Sequence, residues 1–213
     1  MTVQAVRDRR AALKSRHRTA ILNAADSLIN ERSAPRFSVD ELAERADVSR
    51  RTIFNHFPSL DDVVMTACSL TLIGAVDEFR AATAATPAGD GSQAALFAEI
   101  ADALRGIDLP SVVAYFWRVL GTEDDGGRSS HMIQNVFTRT IEQLSIEAAA
   151  RSGEVDQLNA EILVSSVMNG IAIIAAHWIR LTGAVVDDSS RQAWNELFER
   201  LIANVRVGYA RSS

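Results

Sequence analysis

Arg50-Arg51-Thr52, followed after one further turn by Asn55-His56, is the densest group of nucleic-acid-reading side chains in this sequence. Arg can grip guanine O6 and N7 with two N–H donors, and Asn can do the same for adenine N6 and N7. Thr offers a hydroxyl to a phosphate or a methyl to thymine. To act together these groups must project from one side of a helix whose other side is anchored. Leu42, Ala43, Ala46, Val48, Ile53 and Phe57 supply that anchor, with small Ala43 where two short helices would cross. Two short helices joined by a three-residue turn are the geometry of a helix-turn-helix, in which the second helix enters a DNA major groove. The same pattern also fits an ordinary helical hairpin with a solvated Arg-Arg pair.

Catalytic chemistry finds little support, so no enzymatic activity is expected. His17, His56, His131 and His177 stand apart, without an H-E-x-x-H or paired-carboxylate motif beside them, and no Gly-rich loop matches a phosphate cradle. Cys68 is the one cysteine and falls on an apolar helical stripe, which reads as a buried inert thiol. A single thiol makes neither an internal disulfide nor a multi-cysteine metal site, so no metal and no cofactor are expected. The opening MTVQAVRDRR is polar and basic with no apolar core, and a cytoplasmic location is expected.

The positioning elements are all helical. Apolar residues recur at a period near 3.6 and no stretch alternates long enough for a strand, giving an all-α class. The periodicity predicts helices over about 16–33, 39–46, 50–56, 60–83, 92–105, 110–120, 130–151, 155–182 and 189–209. The punctuation is specific. Pro35 closes the first helix, Ser38 with Glu41 forms a capping box, and Ser49 caps the third helix. Asp47 tolerates the left-handed turn between the short helices, and Gly153 and Gly183 end later ones.

Charge divides the chain in the same place. Residues 1–60 carry 11 Lys+Arg against 7 Asp+Glu, whereas residues 61–213 carry 11 against 20. A basic head on an acidic body directs only the head toward a polyanion. The expected domains are 1–59, a helix-turn-helix domain with a basic extension, and 60–213, a helical effector and dimerisation domain. The extension, with Arg7, Arg9, Arg10, Lys14, Arg16 and Arg18, reads either as an arm along DNA or as a solubilising tail.

The stretch from Arg18 through Phe37-Ser-Val-Asp-Glu-Leu-Ala-Glu-Arg-Ala-Asp-Val-Ser-Arg-Arg-Thr-Ile-Phe-Asn-His-Phe-Pro-Ser-Leu-Asp-Asp-Val-Val64 resembles the DNA-binding domain of the tetracycline-repressor (TetR) family. The resemblance implies an N-terminal three-helix DNA-binding domain, a helical ligand-binding and dimerisation body, and a homodimeric cytoplasmic regulator. Such regulators are usually repressors released from a palindromic operator by a small ligand. It implies double-stranded DNA contacts from Ser38, Ser49, Arg50, Arg51, Thr52, Asn55 and His56, with His56 on a phosphate. Three residues depart from the family pattern. Phe54 replaces a Tyr, Leu60 a Lys and Asp47 the turn Gly, which removes two phosphate contacts and adds a negative charge.

In the body, Ile162–Ile179 has 18 positions without formal charge, long enough for a membrane span, but Ser165, Ser166, Asn169 and His177 make it a poor lipid-facing helix and no membrane association is expected. The resemblance makes this and the last helix a dimer interface, here Ile171, Ile174, Trp178, Trp194, Leu197, Phe198, Leu201, Ile202 and Val205. It also implies a body pocket, with Phe97, Tyr115, Phe116, Trp117, His131, Phe137, Met168 and Asn169 as candidate lining. The apolar character of that set suggests an uncharged hydrophobic effector. The competing functional class is a helical small-molecule-binding or catalytic protein whose helix-turn-helix is only structural.

Overall fold

The computed structural model describes residues 3–86, 89–120, 128–153 and 155–209; the side chains described begin at residue 11 and omit those of 120, 128–137, 139, 208 and 209. The described elements are all α-helices, in the order α1 (Val3–Arg32), α2 (Val39–Ala46), α3 (Arg50–His56), α4 (Leu60–Ala85), α5 (Gln93–Arg105), α6 (Leu109–Leu120), α7 (Arg128–Arg151), α8 (Gln157–Thr182) and α9 (Asp188–Tyr209). The all-α expectation holds. The largest departure is α1, which begins at Val3, so the backbone of the basic extension continues the first helix.

Two compact units divide the chain; the first division falls inside α4, between Thr71 and Leu72, and the end of α6 from Arg118 groups with the first unit. The division in α4 therefore lies later than the loop at residue 59. The reason is packing: Val63 and Ala67, in the first two turns of α4, belong to the same buried cluster as Ile21, Ala25, Leu28, Leu42, Ile53 and Phe57. The head is thus α1 to α3 closed by the start of α4.

The second unit is built around α8. Leu163, Val164, Val167, Ile171, Ile174 and Trp178 of α8 share a buried cluster with Trp194, Phe198 and Ile202 of α9 and with Phe97, Ile100, Leu104, Ala114 and Leu144 of α5 to α7. Trp178 and Trp194 meet edge to face at 5.8 Å, and the Trp178 indole donates to the Ser190 carbonyl at 2.7 Å. A Cβ on Gly170 would meet the end of the Leu201 side chain, which would have to shift, so the glycine lets α8 and α9 pack closely with Leu201 in place. A further cross-tie joins Glu99 of α5 to Arg151 at the end of α7 at 2.6 Å, while the other Glu99 oxygen accepts the Gly89 N–H at 2.7 Å.

α8 is the one described helix that is by itself long and apolar enough to cross a membrane, with a mean hydropathy of 1.8 over its window. One side of it is core, as the cluster above shows.

Candidate nucleic-acid interface

α2 and α3 are held apart and oriented by hydrogen bonds the sequence encodes locally. The Ser38 hydroxyl accepts the Glu41 N–H at 3.2 Å, and the Glu41 carboxylate accepts the Ser38 N–H at 2.7 Å. Both halves of a capping box are therefore present. At the far end, the Asp47 N–H reaches the Glu44 carbonyl at 3.2 Å and the Val48 N–H reaches the Ala43 carbonyl at 3.0 Å. These two bonds form a Schellman motif, and they place Asp47 in the left-handed region at φ 51°. Ser49 then opens α3 by accepting the Thr52 N–H at 3.1 Å.

This turn aims α3. Ile53 and Phe57 are buried, whereas Arg50, Arg51, Phe54 and Asn55 are exposed, Thr52 and His56 half-buried. Spacings of three and four residues put Arg50, Arg51, Phe54 and Asn55 on neighbouring positions of one helix face. The structure thus brings together three of the four principal residues expected from sequence to face DNA, Arg50, Arg51 and Asn55; the fourth, Thr52, is half-buried and its hydroxyl shares a 2.8 Å hydrogen bond with Ser49. Ser38 and Ser49 are exposed but engage their hydroxyls in helix caps.

The charges beside this face differ in availability. Arg45 holds Glu31 with two guanidinium nitrogens at 2.6 and 2.9 Å, and Arg32 holds Glu41 at 2.5 Å. These pairs tie α1 to α2, and they hold the Glu31 and Glu41 carboxyls down to about 2. Arg50 faces Asp40 at 3.3 Å, both well exposed. Arg51 has no carboxylate partner among the described residues.

A second cationic group flanks the end of α3, and sequence reading located only part of it. His17 lies edge to face with His56 at 6.2 Å, and Arg18 stacks 4.4 Å over the Phe57 ring. Burial, and then the charges of Lys14, His17 and Arg18, depress the His56 imidazole below its ordinary 6.5. The signal in the sequence was the basic run of α1, whose helical spacing puts Lys14, His17 and Arg18 toward one side.

The body residues divide differently from expectation. Ile171, Ile174, Trp178, Trp194, Phe198 and Ile202, expected at an interface between copies, are buried within the chain's own core. Leu197, Leu201 and Val205 of the same set pack on that cluster but are half-buried and keep part of their surface. Exposed apolar positions of α8 include Ile162 and Ile173 on its other side, and Leu158 and Leu181 near its ends. Of the candidate pocket residues, Phe97 and Tyr115 are buried and Phe116 and Met168 half-buried. Trp117 is 44% exposed and Asn169 is also exposed, so neither faces the interior of this unit. The side chains of His131 and Phe137 lie outside the described residues. An open cleft of about 520 Å³ lies between the α5–α6 corner and α9, floored by Ile107, Pro110, Trp194 and Phe198 and rimmed by the ion pairs Arg105–Glu199 and Arg191–Asp108. None of the candidate pocket residues lines it.

Cys68 is buried, and desolvation with the nearby Asp26 charge pushes its thiol up to about 12, which leaves it unreactive. No group of three metal-ligating side chains comes together among the described residues.

A search of curated proteins finds no match to the chain. The family model described as bacterial regulatory proteins, tetR family, matches residues 21–64, which span the C-terminal part of α1, all of α2 and α3 and the opening of α4. Over residues 21–64 the chain is similar to the helix-turn-helix DNA-binding domain of that family, and the match supports a DNA-binding transcription regulator.

Proposed function

We propose that the protein is a homodimeric cytoplasmic repressor that binds a palindromic operator through α3 and is released by a small hydrophobic effector. The observation that carries the reading is the partition of α3: Ile53 and Phe57 anchor it, and Arg50, Arg51 and Asn55 point to solvent. In this reading Arg51 and Asn55 read base edges, Arg50 and Thr52 contact bases or backbone, and His56 meets a phosphate. Ser38 and Ser49 set the register as cap residues and present their helix ends to the backbone.

Dimerisation is supported by the free side of α8. Ile162, Ala172, Ile173 and Ala176 are exposed on a helix with little charge, and covering them with a second copy removes apolar surface from water. A two-fold dimer requires two inverted half-sites about one helical turn apart or a multiple of it. Effector binding is supported by the aromatic content of the body around Phe97, Tyr115 and Phe116. A ligand weakens operator binding only as far as it prefers the DNA-incompetent state, and a hundredfold effect needs about 2.7 kcal/mol of preference.

Selection of duplexes from a random-sequence pool by the full chain tests the reading. A palindromic consensus is the expected outcome; recovery of no enriched sequence contradicts it.

A further inference from the structure

Phe54 is the feature of the α3 face that the contacts above leave unused. It is 49% exposed, whereas Phe57, the residue that closes α3, is 2% exposed. It lies four residues from Arg50 and three from Arg51, beside Asn55, in the middle of the cationic and amide groups of that face. A phenyl ring has neither donor nor acceptor, so it gains nothing from a phosphate oxygen or a polar base edge. The single apolar group on the major-groove edge of a base pair is the thymine C5-methyl. The neighbouring guanidinium groups draw the ring to DNA, and packing the ring against that methyl removes apolar surface of both from water.

We propose that Phe54 is a specificity-determining residue that reads a thymine methyl in each half-site, next to the base pair addressed by Arg51 or Asn55. The inference rests on the DNA-reading role assigned to α3. It differs from that role in kind, because hydrogen bonds there select guanine or adenine whereas Phe54 selects a methyl group.

Deoxyuridine differs from thymidine only by that methyl, which makes it the direct probe. Binding of the full-length chain would be measured by fluorescence anisotropy on the duplex selected from the random pool, with each thymine replaced singly by deoxyuridine. One thymine per half-site should bind about fourfold more weakly when its methyl is removed, the worth of one buried methyl. Phe54→Ala should weaken the parent duplex and abolish the difference at that position alone, while Phe54→Leu should retain much of it. The substitution is at an exposed position, and thermal melting by circular dichroism checks that both variants stay folded. If no thymine is sensitive, or if the sensitive thymine remains so in Phe54→Ala, the proposal is overturned while operator binding stands. If Phe54→Ala weakens all duplexes equally, the ring contacts sugar and the proposal is likewise overturned. Should the wild-type chain bind no duplex selectively, the underlying reading of α3 fails with it.

Discussion

The guanidinium of Arg18 lies 4.4 Å from the centre of the Phe57 ring and directs an N–H toward the His56 carbonyl at 3.4 Å. One side chain of α1 therefore grips the last turn of α3 twice, by a cation–π contact and by a hydrogen bond to a carbonyl with no partner inside the helix. Arg18→Ala should lower the stability of the head by about 0.5–1 kcal/mol, with Arg18→Lys recovering part of the loss. Urea unfolding followed in the far ultraviolet measures it; equal stability of Arg18→Ala and wild type would show that the stack contributes nothing.

His56 predicts the pH dependence of DNA binding. Its pKa is depressed in the free protein by burial and by Lys14, His17 and Arg18, so it is neutral near pH 7. A phosphate placed against it favours the protonated form, and binding then takes up a proton. Operator affinity should rise as pH falls from about 7.5 to about 6, beyond the change shown by His56→Asn. The sign for folding is opposite: a depressed histidine makes the folded state bind fewer protons than the unfolded chain, so this contribution to stability is lost as pH falls through its range. Identical pH profiles for wild type and His56→Asn would remove His56 from the phosphate contact.

Acid stability of the head follows from Glu31 and Glu41. Arg45 lowers the first and Arg32 the second, each from 4.5 to about 2. A depressed carboxyl stabilises the folded state above its unfolded pKa and loses that contribution as pH falls through its folded one. Head stability should hold to about pH 5 and decline from there toward pH 2, and Glu31→Gln with Glu41→Gln should flatten that decline. Chemical denaturation at a series of pH values distinguishes the two slopes.

Much of this was legible in the sequence, and the reasons are local. Ser38 with Glu41, Asp47 and Ser49 set the ends of α2 and α3 by hydrogen bonds within three to five residues, so the turn could be read directly. What was not legible is which face of an apolar helix meets which neighbour. On α8, Ile171 and Ile174 are buried and Ile173 is 62% exposed, yet composition does not distinguish them. On α6 the run Tyr115-Phe116-Trp117 covers most of the helix circumference, and only tertiary packing decides that Trp117 turns outward. The boundary in α4 was hidden because no turn residue marks it: the helix continues while its buried face changes core.

The exposed face of α8 gives a test of dimerisation that does not disturb the core. Ile173→Glu with Ala176→Arg should yield folded monomers. Phe198→Glu buries a charge at a 4% exposed site and should instead unfold the body, at a cost of about 3 kcal/mol or more. Sedimentation velocity with circular dichroism separates these outcomes, and a dimer unchanged by the first pair would place the interface elsewhere.

Asp47 occupies a left-handed position that favours glycine, at φ 51°. Asp47→Gly should stabilise the head by about 1 kcal/mol and, by removing a negative charge beside the DNA-facing helix, tighten binding to all sequences alike. A loss of stability on thermal unfolding would mean that the Asp side chain contributes more than its strain costs.

The central claim is that α3 reads sequence. Its most direct test is the ratio of affinities for the selected duplex and a scrambled duplex at matched salt, measured for wild type, Arg51→Ala and Asn55→Ala. Each substitution should reduce that ratio by about 1–3 kcal/mol and relax preference at one position per half-site. A ratio unchanged in both variants would contradict the assignment of α3 as the reader, even with DNA binding intact.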